Sequence, residues 1–257
     1  MSSPTKPPGQ RLDLEVRLAG RLSEEEVDTV TALIVDAFGD DPFGRHLVGN
    51  DPSLIPLQFR SVIAAANVGG TILLVTTKNV AGEDEIAGCL IAFGPGQSLN
   101  STEEQRVAGW NPFIEKVDEY TKGWWEDYWI PLLEKTCDSS FGEGGALRSW
   151  DIQLLGVRPE YAGKGPPSPN LDLLPLPAAP ASGERNSSSC SLDYPECTTD
   201  AGTIEQADAE NAPAILETQN EKNVAMYTKM GFEVRDLIHV ESSRVETSPF
   251  WFMGRGF

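Results

Sequence analysis

The sequence predicts a mixed α/β fold: one domain on a sheet of parallel and antiparallel strands, with a helical insert and a long disordered loop. Three observations carry this. Residues 71–77 (TILLVTT) and 86–93 (IAGCLIAF) are apolar runs either side of Glu83-Asp84-Glu85, which predicts an antiparallel hairpin. Residues 149–157 (SWDIQLLGV) and 212–218 (APAILET) read as two further strands, and a helical stretch follows the second. The chain then closes on two more strand-like runs, 232–240 (FEVRDLIHV) and 250–257 (FWFMGRGF).

The remaining elements follow in order. Residues 1–10 are polar and Pro-rich, which predicts a disordered N-terminus with no apolar leader. Residues 11–18 (RLDLEVRL) alternate polar and apolar, as a half-buried strand does. Ser23 and Glu26 have capping-box spacing ahead of VDTVTALIVDAF, so a helix is expected through about Phe38. A second helix is expected between Pro52 and Ala66. Gly94-Pro95-Gly96 ends the hairpin. Residues 94–148 then read as a helical insert, opened by a second capping-box spacing at Ser101 and Glu104. It carries four of the six tryptophans: Trp110, Trp124, Trp125 and Trp129. Rings at that density serve packing between short helices and a sheet more often than they line a pocket. NEKNVAMYTKMG reads as a helix closed by Gly231 in a left-handed cap.

Residues 166–203 stand apart. They hold seven of the 19 prolines and six serines without helical or strand periodicity, the composition of a disordered insertion. A mixed α/β fold would place a helix directly after strand 149–157.

Charge and cysteine usage exclude several function classes. Lys plus Arg number 20 and Asp plus Glu 39, a net charge of −19, so nucleic acid and acidic membranes are not expected partners. No run approaches the roughly 20 apolar residues that span a bilayer. Cys89, Cys137, Cys190 and Cys197 lack CxxC spacing, and His46 and His239 are isolated, so neither a metal site nor a disulfide framework is expected. A reducing cytoplasmic or nuclear setting is the corresponding expectation.

Two separated motifs carry a family likeness. LLGVRPEYAGKG at 154–165 resembles the cofactor motif of GNAT N-acetyltransferases, and LETQNEKNVAMYTKMGFEV at 216–234 resembles that family's last helix and strand. FGPGQSL and the Trp-rich helices after it resemble a fungal subgroup. The likeness covers most of 11–257 except 166–203. It implies a GNAT-like acyl-CoA N-acyltransferase fold, acetyl-CoA as cofactor and an amine of a small molecule or protein as acceptor. It assigns Leu155, Gly156 and Val157 to backbone pairing with the pantetheine arm. The loop after them holds the pyrophosphate at a helix start. In the family pattern Q/R-x-x-G-x-G/A the aligned positions run from Ala162 to Pro167. Gly165 keeps the pattern, and Gly163 and Lys164 suit an anion. Pro166 and Pro167 offer no N–H.

The likeness makes Tyr227 the acid that protonates the leaving thiolate, because it stands four residues before the Gly231-Phe232 pair, as the family's tyrosine does. Asn223, one helical turn earlier, gains a contact with the cofactor. For the base, Asp151 is the first candidate and Glu217 the second, although each taken singly reads more simply as a strand-end carboxylate. Strand alternation would put Asp151 on one face with residues 153, 155 and 157. Three readings stay open: an N-acetyltransferase, a catalytically silent GNAT-like binding module, and a chain whose residues 166–203 derive from a retained intron. Oligomeric state is not specified by any feature of the sequence.

Overall fold

A computed structural model describes residues 14–39, 41–79, 81–161 and 213–257, and within them seven strands form one sheet. They are β1 (Glu15–Leu18), β2 (Thr71–Lys78), β3 (Asp84–Phe93), β4 (Trp150–Val157), β5 (Ala214–Thr218), β6 (Glu233–Val240) and β7 (Ser248–Arg255). The order across the sheet is β1-β2-β3-β4-β5-β7-β6. Every pairing is antiparallel except β4 with β5. This is the mixed α/β architecture that the sequence predicts.

The first helix, α1 (Glu24–Phe38), begins as the sequence implies. The Glu26 amide donates to Ser23 Oγ at 3.3 Å, and Glu26 Oε2 accepts from the Ser23 amide at 3.0 Å. A short helix that the sequence reading misses, α2 (Pro42–Leu47), follows. Asp41 caps it by accepting from the Phe43 amide at 2.8 Å, and Pro42 occupies the first turn, where no N–H is needed. Helix α3 (Ile55–Gly69) extends slightly beyond its expected end.

Two helical runs make up the Trp-rich segment. The first comprises α4 (Glu103–Gln105), a π-helical stretch Arg106–Trp110 and α5 (Asn111–Ile114); the second comprises α6 (Glu119–Gly123), a π-helical stretch Trp124–Trp129 and α7 (Ile130–Phe141). Each π-helical stretch runs into a proline, Pro112 or Pro131. A proline inside a helix removes one N–H and crowds the carbonyl four residues back. Widening the preceding turn relieves that crowding without ending the helix. The cap of the first run lies one residue later than expected. Thr102 Oγ1 accepts from the Gln105 amide at 3.2 Å, and Gln105 Oε1 accepts from the Ser101 amide at 3.0 Å. The last helix, α8 (Glu221–Lys229), is followed by Gly231 at φ 85°, the left-handed closure expected of it.

The helices cover both faces of the sheet. Val30, Leu33 and Ile34 of α1 and Phe59 and Ile63 of α3 pack on Ile72, Leu74, Cys89 and Ile91. On the same face, Phe43 of α2, Trp124, Trp129 and Phe141 cover Ile215, Phe250 and Phe252. Tyr227 of α8 and Phe232 pack on the opposite face against Leu73, Leu90, Leu216 and Met253. Among the described residues no helix is long and apolar enough to cross a membrane.

Some local expectations give way. All four residues of β1 are exposed, Leu18 by 60%, whereas a half-buried strand was expected. The strand forms the sheet edge, and α1 and α3 lie over β2, β3 and β4 instead. The hairpin turn falls at 79–83 rather than on Glu83-Asp84-Glu85, because Asn79 Oδ1 accepts from the Ala81 and Glu83 amides at 2.9 and 3.0 Å. The larger departure is in β4. Leu154 pairs with Ile91 and Ile152 with Ala92, which leaves Gln153 as a bulge without an opposite number. The extra residue reverses the alternation. Asp151 therefore shares a face with Leu154 and Gly156, and not with residues 155 and 157 as simple alternation implies. Residues 166–203 and the candidate residues Gly163, Lys164 and Gly165 lie outside the described residues.

Helix α3 and the first Trp-rich run approach closely at Gly109, where an added Cβ would stand 2.1 Å from the Ser61 carbonyl oxygen. Gly109→Ala is expected to destabilise the protein by about 1–3 kcal/mol, since backbone cannot move aside as a side chain can. Gly123, also helical, has only the Asp127 carboxylate at 3.7 Å, so Gly123→Ala is expected to add about 0.5–1 kcal/mol. Urea unfolding of the two variants beside the parent protein checks both signs.

Candidate functional site

Strands β4 and β5 run parallel but hydrogen-bond at only three registers, Trp150 with Ala214, Asp151 with Ile215 and Ile152 with Leu216. Beyond Ile152, β4 continues to Val157 against β3 alone, so among the described residues its other backbone edge has no strand partner. The bulge at Gln153 falls where the strands part. A bulge bends its strand and sharpens the local twist, which gives the splay a local cause.

A cavity of about 260 Å³ opens in the gap. Its lining comes from both faces of the sheet: Leu155, Leu216 and Tyr227 on the α8 side, Asp151, Glu217 and Phe250 on the other. The cavity therefore runs between the strands. The sequence-predicted residues divide accordingly. Asp151, Glu217, Leu155, Asn223 and Tyr227 all line it. Gly156 faces away, under α1, where an added Cβ would lie 2.6 Å from Ile34 Cδ1 and the Ile34 side chain would have to shift. Val157 is half-buried outside the lining. The roles suggested for Leu155, Gly156 and Val157 belong to backbone groups, which side-chain direction leaves untouched.

Tyr227 is buried on α8, its ring meeting Phe232 edge-on at 6.0 Å between centroids. Desolvation pushes its phenol up to about 12. The group therefore stays protonated at neutral pH and has a proton to give. Asn223, exposed, stands one turn earlier on the same helix face.

The two carboxylates form a pair rather than independent candidates. Asp151 lies opposite Ile215 in the register, and Glu217 is two residues further along β5, so both project to the same face of adjacent strands. Desolvation pushes the Asp151 carboxyl up to about 6, although Gln153 Nε2 donates to its Oδ2 at 2.8 Å. Glu217 is raised well above the usual carboxylate range, first by burial and then by the charge on Asp151. The Asp151 Oδ1 is buried without a hydrogen-bond partner among the described residues. Cys137 of α7 also lines the cavity. Burial and the nearby carboxylates hold its thiol protonated, so it is a poor nucleophile.

Sequence reading allowed the Trp-rich helices to wall a pocket but favoured packing for most of their rings, and it gave Phe43 and Phe250 no part. Phe43, Trp129 and Phe250 pack mutually, with ring centroids 5.1 Å (Phe43–Trp129), 4.6 Å (Phe43–Phe250) and 5.0 Å (Trp129–Phe250) apart. The Trp125 indole donates to the Leu47 carbonyl at 2.8 Å, which fixes that ring at the rim. Packing does account for Trp124, buried and stacked on Trp129, but Trp125 and Trp129 also shape the cavity. Their distances along the chain gave no signal that they would converge. Among the described residues no cluster of His, Cys, Asp and Glu is arranged to hold a metal.

No family model and no curated protein matches the chain. Among solved structures, mosquito arylalkylamine N-acetyltransferase like 5b matches with a TM-score of 0.54 at 14% identity, over 95% of this chain and 99% of that one. The histone acetyltransferase HPA2 and related acetyltransferase of Corynebacterium glutamicum matches at 0.49 and 13% identity, over 94% and 95%. An apo variant of agmatine N-acetyltransferase matches at 0.48 and 8%, over 94% and 98%. The last two carry no further weight. The first, with the strand order and the β4–β5 splay, shows the GNAT N-acyltransferase fold.

The carboxylate pair sets an expectation for stability against pH. A carboxyl with a raised folded-state pKa keeps its proton in the folded protein where the unfolded chain has lost it. Stability therefore falls as pH rises from the ordinary carboxylate range through the raised value. Glu217→Gln removes this penalty while keeping the shape. The variant is expected to be more stable than the parent by about 1–3 kcal/mol at pH 8, with the gain shrinking towards pH 5. Thermal melts across that range decide it, and equal Tm values at pH 8 refute the electrostatic account of the pair.

Proposed function

We propose that this chain is an N-acetyltransferase that moves an acetyl group from acetyl-CoA to an amine. The observation that carries the reading is the splay itself: one cavity between two parting strands holds an unpaired strand edge, a protonated tyrosine and a carboxylate pair. Acetyl-CoA supplies the activated acyl group as a thioester. The β4 backbone beyond Ile152 suits an amide-bearing arm, because pairing with an extended chain satisfies its free donors and acceptors as an added strand would. The chain's own residues then have three tasks. The Asp151–Glu217 pair accepts a proton from the incoming ammonium and frees the nitrogen lone pair. As the C–N bond forms and the C–S bond breaks, Tyr227 gives its proton to the departing thiolate. The second proton lost by nitrogen restores the phenol. Free β4 amides beyond Ile152 are suited to stabilise the charge that develops on the carbonyl oxygen.

The raised Tyr227 pKa supports this assignment, since a phenol that resists ionisation remains an acid over the whole neutral range. It also leaves the first deprotonation of the ammonium to the carboxylates, because the ionised phenol is scarce at neutral pH until it has given its proton to the thiolate. Two carboxylates that share charge in a desolvated place have basicity closer to neutral pH than an exposed Asp or Glu.

The test has two parts. Calorimetric titration with acetyl-CoA is expected to show one site per chain, and an amine panel is expected to release free thiol. Tyr227→Phe is then expected to lower kcat by about 10²–10⁴-fold while acetyl-CoA affinity changes little, because the proton is given only in the transition state. Unchanged turnover would remove Tyr227 from the reaction. Failure of acetyl-CoA to bind or to yield thiol with any amine would favour a silent module on the same fold.

A further inference from the structure

We infer that the acceptor is a small primary amine on an apolar or aromatic body, without an anionic group, seated between the ring walls and the Asp151–Glu217 pair. This rests on the acetyltransferase reading of the same cavity and narrows it to a substrate class.

Charge is the first argument. Asp41, Asp151 and Glu217 are the acidic residues that line the cavity, and no Lys, Arg or His stands among the described lining residues. A carboxylate or phosphate on the acceptor would meet like charge in a partly desolvated space, with no cation among the described lining residues to offset it. An ammonium meets the opposite situation. The Asp151 Oδ1 lacks a hydrogen-bond donor, and an acceptor left bare in this way is costly, so an incoming N–H repairs it.

The walls supply the second argument. The Phe43, Trp129 and Phe250 rings fix one another, and Trp125 is held through its indole N–H. These rings offer apolar contact and π faces but few polar groups, so they suit a hydrocarbon or aromatic body. A second ammonium at the far end of the acceptor would lie against rings. Asp41, the remaining acidic residue of the described lining, is held as the cap of α2 through the Phe43 amide, and a second ammonium would give up hydration against the apolar walls. Diamines are therefore disfavoured. Size is the third argument. Pockets for drug-sized ligands occupy roughly 300–1,000 Å³. A cavity of about 260 Å³ that also admits the acyl group leaves room for a small acceptor only.

The experiment reads binding apart from turnover. Quenching of tryptophan fluorescence is followed as the full chain is titrated with phenethylamine, hexylamine, putrescine, phenylalanine, phenethyl alcohol and a lysine-containing peptide. Acetyl-CoA binding is measured separately by calorimetry. Phenethylamine and hexylamine are expected to bind at least about tenfold more tightly than putrescine, phenylalanine or the peptide. Glu217→Gln is expected to weaken phenethylamine about tenfold and leave phenethyl alcohol unchanged. Phe250→Leu is expected to weaken both and leave acetyl-CoA unchanged. Tighter binding of putrescine, phenylalanine or the peptide overturns the inference, and so does equal binding of phenethylamine and phenethyl alcohol. If acetyl-CoA binds in those cases, the transferase reading survives. If phenethylamine binds as expected and acetyl-CoA does not, the amine pocket stands and the transferase reading falls.

Discussion

The parting of β4 from β5 is the constraint on which the rest of the candidate site depends. Parallel strands normally share a ladder along their length. Here the ladder stops at Ile152 and Leu216, and the sheet holds together only because β3 and β7 secure the two outer edges. Every feature of chemical interest lies in the resulting gap. The fold accepts a deficit of backbone hydrogen bonds in its own centre, and that deficit is what a ligand with an extended amide chain can fill.

The site also concentrates strain of another kind. Two carboxylates on one face of adjacent strands repel each other and lose hydration, and neither finds a cation among the described residues. Such an arrangement opposes folding, so packing must offset it. The ring cluster beneath β5 and β7 and the α1–α3 layer over β2, β3 and β4 provide that packing on the same face. Stable apolar layers flank an unstable polar seam. Catalytic groups with shifted proton affinities arise under those conditions.

Much of this was legible in the sequence, for physical reasons that differ by feature. The Ser23–Glu26 cap and the Gly231 closure depend on local chemistry, and the structure agrees with them. The bulge at Gln153 could not be read, because register is decided by pairing with β3, some sixty residues away in the chain. It moves Asp151 to the face of Leu154 and so beside Glu217. Two carboxylates read as separate candidates become one pair by this route. The aromatic walls were legible only in part for a similar reason: the Trp-rich helices offered wall candidates, but Phe43 and Phe250 join Trp125 and Trp129 from distant segments. The short α2 was missed although its signals, Asp41 and Pro42, were present; six residues are too few for a periodic pattern to emerge.

The exposed edge strand noted above has a consequence for how copies of this protein meet. Among the described residues the sheet is open at both ends, at β1 and at β6, and an open edge is a template for a foreign strand. Both rims carry apolar side chains outward, Val16 and Leu18 on one and Val234 and Leu237 on the other. Both also interleave charge: Glu15 and Arg17 alternate with the first pair, and Glu233, Arg235 and Asp236 crowd the second. Stacking one rim on another would force those charges into register against a background of −19. Interleaved charges of this kind are the gatekeepers that oppose fibre-like growth from an open sheet edge.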